Sequence, residues 1–145
     1  WTNVVVSKCA KLTHFPCCKW ITSSCTNMNS MFNGCSSLVS VDVSGWDTAS
    51  VTNMVGVFQG CSSLRYITLG ENFFKFAGSY PFNGAVNLGL NADGTSNGWL
   101  EHLTSVAPQI TDGKVRTLQL HNNLKSKTWA AAYITQLTNK GYTIA

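Results

Sequence analysis

Apolar positions in this chain return in the same order every 26 residues. Cys9, Leu12, Phe15 and Cys17 are echoed by Cys35, Leu38, Val41 and Val43, and again by Cys61, Leu64, Ile67 and Leu69. Between the first two copies the echo extends to Trp20 and Trp46, Thr22 and Thr48, Asn27 and Asn53, Met28 and Met54, and Phe32 and Phe58. A period in this range marks supersecondary units, none of which buries its apolar face alone. Each copy contains L-x-x-Φ-x-Φ, which predicts a short strand whose alternate side chains enter a shared core. The strands are expected side by side in one parallel sheet, with Val115-Arg-Thr-Leu118-Gln-Leu120 as a fourth member. Met28, Met31 and Phe32, like Met54, Val57 and Phe58, predict the apolar stripe of a short helical turn on the opposite side. Asn27 and Asn53 are suited to satisfying turn backbone.

The echo weakens after Leu69. Residues 70–98, rich in Gly, Asn and aromatics, read as irregular. Trp99, Leu100, Leu103 and Val106 then follow helical spacing, with Thr95, Ser96 or Asn97 as N-cap and Pro108 as the stop. Ala130, Tyr133, Ile134 and Leu137 mark a second helix, preceded by Ser126 and followed by Gly141, and Tyr142-Thr-Ile144 closes as a strand. The fold expected is an α/β solenoid. It comprises a leucine-rich-repeat-like stack with short parallel strands over residues 1–84, about three units truncated at the N-terminus, and an α/β C-terminal capping region with two helices over residues 85–145.

Composition narrows the partners. Charged residues make up only 11%, and the net charge is +4, with Lys8, Lys11 and Lys19 near the N-terminus. That bias falls well short of the basic stripe of a nucleic-acid binder. No apolar run reaches membrane-spanning length, so membrane insertion is not expected. Without an initiator Met and beginning inside a repeat, the chain is expected to continue a larger repeat protein upstream.

The six cysteines are better suited to a core than to a disulfide framework. Cys9, Cys35 and Cys61 hold equivalent positions, where a small buried hydrophobe suits every unit, so reduced thiols in a column are expected. Cys17 and Cys25 stand where the next copy has Val43 and Val51. Cys18 replaces Ser44 and is expected to be exposed and reactive. A zinc site from His14, Cys17, Cys18 and Cys25 lacks C-x-x-C spacing, and strand alternation aims Cys17 and Cys18 at opposite faces. No metal or cofactor is expected.

The stretches "MFNGCSSLVSVDVSGWDTASVTNM" and "VFQGCSSLRYITLGENFF" resemble the 26-residue repeat of BspA-like leucine-rich repeat proteins, a bacterial surface class also found in mycoplasma lipoproteins and phage-encoded proteins. The tail "LQLHNNLKSKTWAAAYITQLTNKGYTIA" is similar to the strand–helix–strand ending of such proteins. The resemblance implies a non-enzymatic binding protein exposed on a bacterial surface or virion, with a protein or glycan receptor on a cell surface as partner. It carries over no fixed binding residues.

The first two copies diverge selectively. Of eleven positions assigned to the core, seven are identical between residues 8–33 and 34–59, and the other four exchange apolar residues. Of the remaining fifteen, only Ser24 and Thr26 match their partners. Where the second copy carries small polar filler, the first carries Ala10, Lys11, His14, Pro16 and Cys18. Drift at exposed positions accounts for this pattern, and so does a selected binding face on a constant scaffold. Pro16 removes a ladder donor, which suits an edge strand. Candidate contact residues are Lys11, Thr13, His14, Pro16, Cys18 and Lys19, then Ser40 and Asp42, then Arg65, Tyr66 and Thr68, and finally Arg116 and Gln119. Arg and Tyr are residue types that dominate interface energetics, although Tyr66 equally suits a half-buried ring leaning on Val39 or His14. The alternative is a structural spacer in a surface fibre, with no ligand of its own.

One motif invites catalysis. Gly94-Thr-Ser96-Asn-Gly98 matches G-x-S-x-G after a strand-like segment, and Asp112 and His121 follow in α/β-hydrolase order. The chain is short for that sheet, its strands belong to the repeat, and these residue types are ordinary at a helix start. No catalytic residue is therefore expected. His102, beside Glu101, reads as a solvated helix residue.

Overall fold

The computed structural model describes residues 22–145 and, for residues 14–16, the course of the backbone alone. Among the described residues, six short strands form two small sheets, both parallel and neither closed. The first holds β1 (His14–Pro16), β2 (Ser40–Asp42) and β3 (Tyr66–Thr68) in that order. Its register aligns His14 with Ser40 and Tyr66, Phe15 with Val41 and Ile67, and Pro16 with Asp42 and Thr68. That is the expected 26-residue interval. Val41 and Ile67 are buried while their strand neighbours are half-exposed, as alternation requires. Leu38 and Leu64 are fully buried. Pro16 lies, as its missing N–H demands, on an edge strand among the described residues.

The second sheet holds β4 (Ser79–Pro81), β5 (Thr117–Gln119) and β6 (Thr143–Ile144), with β5 central. Helices α1 (Trp99–Val106), α2 (Asn122–Lys125) and α3 (Ala131–Asn139) complete the C-terminal part. The strand expected within 115–120 therefore forms, but it does not join β3. The outer edge of β3 is already occupied by groups from α1 and the loop before it, so β5 pairs with β4 and β6 instead. Short α2 was not anticipated; His121 starts it, its Nδ1 accepting from the Asn123 N–H at 3.0 Å. At the start of α1, Gly98 occupies the cap position at φ 86°, and the Ser96 and Asn97 side chains accept from the N–H groups of Gly98 and Trp99.

The turn side of the repeat is not helical. Met28, Ser30, Phe32 and Gly34 donate their N–H groups to the carbonyls of Asn53, Val55, Val57 and Gln59, at 2.8–2.9 Å. A helix would spend those amides on itself. Here alternate amides bridge to the next copy, and the residues between them close local turns, as Met31 does onto Met28 at 3.3 Å. The apolar stripe survives: Met28, Met31, Phe32, Met54, Val57 and Phe58 are buried. Asn27 and Asn53 accept from the N–H two residues on at 2.9 Å. Thr22 and Thr48, both buried, tie copies together: Thr48 Oγ1 donates to the Phe73 carbonyl at 2.7 Å and accepts from Phe76 N–H at 2.9 Å.

The repeat persists beyond its legible end. Phe32, Phe58 and Phe82 stack with ring centroids 5.9 and 6.0 Å apart and planes 3° and 17° from parallel. Ala85 and Leu88 are buried as Cys61 and Leu64 are. Phe82, Gly84, Ala85 and Leu88 thus repeat Phe58, Gly60, Cys61 and Leu64 after 24 residues rather than 26. Gly84 lies so close to the Phe58 backbone that a Cβ would sit 2.9 Å from its carbonyl. The shortened interval, with Ala in place of Cys, hides this copy from a fixed-period reading.

Cys25, Cys35 and Cys61 are buried in the core, as expected of these positions. Burial pushes the Cys61 thiol up to about 12. Since the thiolate is the reactive form, these three are expected to stay unmodified by iodoacetamide near neutral pH in the native protein and to react fully in denaturant. Peptide-level mass spectrometry checks this, and native labelling of Cys61 would contradict it. Cys9, Cys17 and Cys18 lie outside the described residues.

Candidate binding face

Alternation along β2 and β3 turns Ser40, Asp42, Tyr66 and Thr68 away from the core, all half-exposed. Register places His14 level with Ser40 and Tyr66, and Pro16 level with Asp42 and Thr68. Lys11, Thr13, Cys18 and Lys19 lie outside the described residues. So does most of the zinc set considered above; its remaining cysteine, Cys25, is buried, and no group of three metal-ligating side chains occurs among the described residues. Asp42 contributes to the fold as well as to the face: its Oδ1 accepts from Ser44 N–H at 2.9 Å and closes the turn after β2.

The outer edge of β3 is closed by three side chains and one loop amide rather than by another strand. Arg65 O accepts from Gly89 N–H at 2.9 Å and from Asn97 Nδ2 at 2.8 Å. Ile67 O accepts from the indole N–H of the fully buried Trp99 at 2.9 Å. Leu69 N–H donates to His102 Nε2, also at 2.9 Å. An open edge would invite strand addition, and this arrangement blocks it. Trp99 and His102 fall three apart, hence on one face of α1, a spacing visible in the sequence but not recognised there as edge-closing.

His102 is therefore not the solvated residue expected. Its ring lies 5.6 Å from that of Tyr66, tilted 30°, so Tyr66 leans on His102 rather than on Val39. Burial lowers the imidazole pKa from its ordinary 6.5, opposed in part by the Asp42 carboxylate. The bond to Leu69 demands a neutral ring, because a protonated Nε2 has no lone pair to offer. Folding thus disfavours the proton. The stabilisation is complete above pH 6.5 and is lost as pH falls from there through the folded-state value. The urea midpoint is expected to drop over that window, and His102→Gln, which keeps an acceptor but cannot titrate, is expected to remove this component. Identical pH profiles would contradict the assignment.

Two other expected contact residues are committed elsewhere. Arg65 donates from one guanidinium nitrogen to Leu90 O at 2.7 Å, leaving only part of the group to solvent. Arg116 does not face outward at all. It is 7% exposed, its Nε donates to Phe74 O at 2.7 Å, and its terminal nitrogens grip Asp112 at 2.9 Å each, with Lys75 O at 3.2 Å. Arg116 precedes β5, and the segment Glu71–Lys75 presents two backbone carbonyls there that need donors. The Asp112 carboxyl is held far below the usual carboxylate range by this fork. Gln119, half-exposed on β5, belongs to the second sheet and is not part of the β1–β3 face.

Ser96, Asp112 and His121 are each bound locally. Ser96 Oγ accepts from Gly98 N–H at 3.1 Å, Asp112 pairs with Arg116, and His121 caps α2. Residues 86–90 form a turn ending in an isolated antiparallel bridge between Leu90 and Ser96, not the strand a nucleophile elbow requires.

No curated protein and no solved structure matches this chain. Residues 3–75, half of the chain and the stretch that contains the 26-residue echo and the β1–β3 sheet, match a family profile. The chain accordingly belongs to the family described as Mycoplasma protein of unknown function, DUF285.

Proposed function

We propose that this chain is a non-catalytic binding module of an extracellular surface protein, which recognises a protein or glycan receptor on a cell surface through the outward face of β1–β3. One observation carries the reading: a wholly parallel sheet presents half-exposed side chains from Ser40, Asp42, Tyr66 and Thr68 in register, over a buried and repetitive core. Parallel sheets are ordinarily covered on both faces, so a polar face left half-exposed, with only Tyr66 leaning on His102 of α1, is a surface with a use. The GCSSL-centred copies support kinship with BspA-like leucine-rich repeat proteins and a solenoid with an α/β cap. That kinship favours a place on a bacterial surface or virion. The small side chains of Ser36, Ser40 and Ser44 in the second copy favour one rival, a spacer without a ligand of its own.

The test is the double variant Ser40→Arg/Thr68→Arg, which adds bulk to the face and removes no hydrogen bond of the core. Glycan and cell-surface-protein arrays are probed with both forms. Surface substitutions of this kind change stability by less than about 0.5 kcal/mol, so the melting curve is expected to stay and the captured spots to vanish. Spots that survive the arginines would remove the face from consideration, and arrays blank for the native protein would favour the spacer.

A further inference from the structure

The geometry points to a second site, for a neutral oligosaccharide, where two neighbouring open depressions meet on the amides of Gln59, Asn83 and Gln119. The depressions measure about 490 and 560 Å³, each within the range of small-molecule sites. All three amides line both. They come from distant parts of the chain: the turn that ends the second copy, the Phe82–Gly84 turn, and β5. Phe82 seats Asn83 beside Gln59 by stacking on Phe58, and pairing of β5 with β4 brings Gln119 to the same place.

Their chemistry is available. The side chains of Asn53, Asn87, Asn91, Asn97 and Asn123 all hydrogen-bond within the fold. Among the described residues, those of Gln59, Asn83 and Gln119 make no hydrogen bond to the protein. Each offers a donor pair and an acceptor side by side, which suits sugar hydroxyls that both give and take protons. The first depression has no ionisable side chain among the described residues that line it, so a charged ligand finds no counter-charge there; His121 and Lys125 line the far part of the second. Val55, 74% exposed, and Pro81 supply apolar surface for the C–H face of a pyranose ring. A peptide strand is less well served, because the adjoining edge strand β4 has three residues and Pro81 lacks a ladder donor. No residue of β1–β3 lines either depression, so this site stands or falls independently of the sheet face.

The experiment follows the side-chain NH₂ resonances of the ¹⁵N-labelled full chain during titration with neutral gluco-, manno-, galacto- and N-acetylchito-oligosaccharides. At least one is expected to shift the Gln59, Asn83 and Gln119 signals. Asn83→Ala and Gln119→Ala, both at uncommitted side chains, are expected to fold normally and weaken that titration about tenfold each. Ser40→Arg/Thr68→Arg is expected to leave it unchanged. The proposal is overturned if no member of the panel shifts these signals at millimolar concentration, if both alanine variants titrate as the native chain does, or if a neutral Gly/Ser/Asn peptide shifts them and no sugar does.

Discussion

Replacing Phe58 with alanine is expected to cost about 3–5 kcal/mol, the range for deleting a buried aromatic ring. Phe58 is 2% exposed and sits between Phe32 and Phe82, whose rings are nearly parallel to its own. Offset aromatic pairs add about 0.5–1.5 kcal/mol beyond their buried area, and this one ring takes part in two. Relaxation cannot readily fill the void. Phe32 is held by the hydrogen bond its N–H donates to the Val57 carbonyl, and Gly84 already packs directly on the Phe58 backbone. Domains are stable by only about 5–15 kcal/mol, so a loss of this size removes about a fifth or more of the total. Urea denaturation measures it: the midpoint should fall while the slope is kept. Phe58→Leu is expected to lose much less. A cost below about 1 kcal/mol for alanine would mean that the ring column closes up and does not couple the copies.

The second large effect is expected at Arg116. Arg116→Met leaves the carbonyls of Phe74 and Lys75 without their guanidinium donors, at about 1–3 kcal/mol for the buried Phe74 acceptor and less for that of Lys75, where water can take over. The Asp112 carboxylate is substantially exposed and returns to solvent, so the lost ion pair itself contributes little. Arg116→Lys keeps the charge but has no planar fork to reach three partners at once, and an intermediate loss is expected. The bond to Arg116 is the largest cause of the depressed Asp112 pKa, ahead of the Lys114 N–H. Its stabilisation is present above the carboxylate's ordinary 3.8 and is lost as pH falls through the folded value. The Met variant should therefore be less stable near neutral pH and less sensitive to acid. Thermal melts of Arg116→Met and Asp112→Asn decide between causes. Equal losses in the two would show that the ion pair, not the carbonyls, is what Arg116 provides.

The two substitutions test different parts of the molecule, and the sequence foretold them unequally. Phe58 was legible: it repeats Phe32 at the common interval, in an apolar stripe. Arg116 was placed on an outward column by strand alternation, and the structure buries it. Alternation holds inside β5, where Leu118 is buried between half-exposed neighbours. Arg116 precedes that strand, where the local rule no longer applies and unpaired carbonyls from Glu71–Lys75 set the direction instead. His102 was misplaced for a related reason. Its neighbour Glu101 suggested solvent, but the edge of β3, a feature more than thirty residues away in sequence, claimed its lone pair.

What the sequence alone determined is the periodic part: the 26-residue interval, the parallel register of Phe15, Val41 and Ile67, the buried leucines, the buried cysteines and the Asn turns. These follow from one local pattern repeated, so each copy reports on the next. Only the tertiary structure decided where the repeat gives way. It revealed the 24-residue copy at Phe82–Gly84, split the strands into two sheets, turned the expected helical stripe into amides that bridge copies, and assembled the Gln59, Asn83 and Gln119 amides. Each depends on which backbone donors and acceptors remain unpaired after the local structure has formed. That count is a property of the packed chain and has no period to betray it.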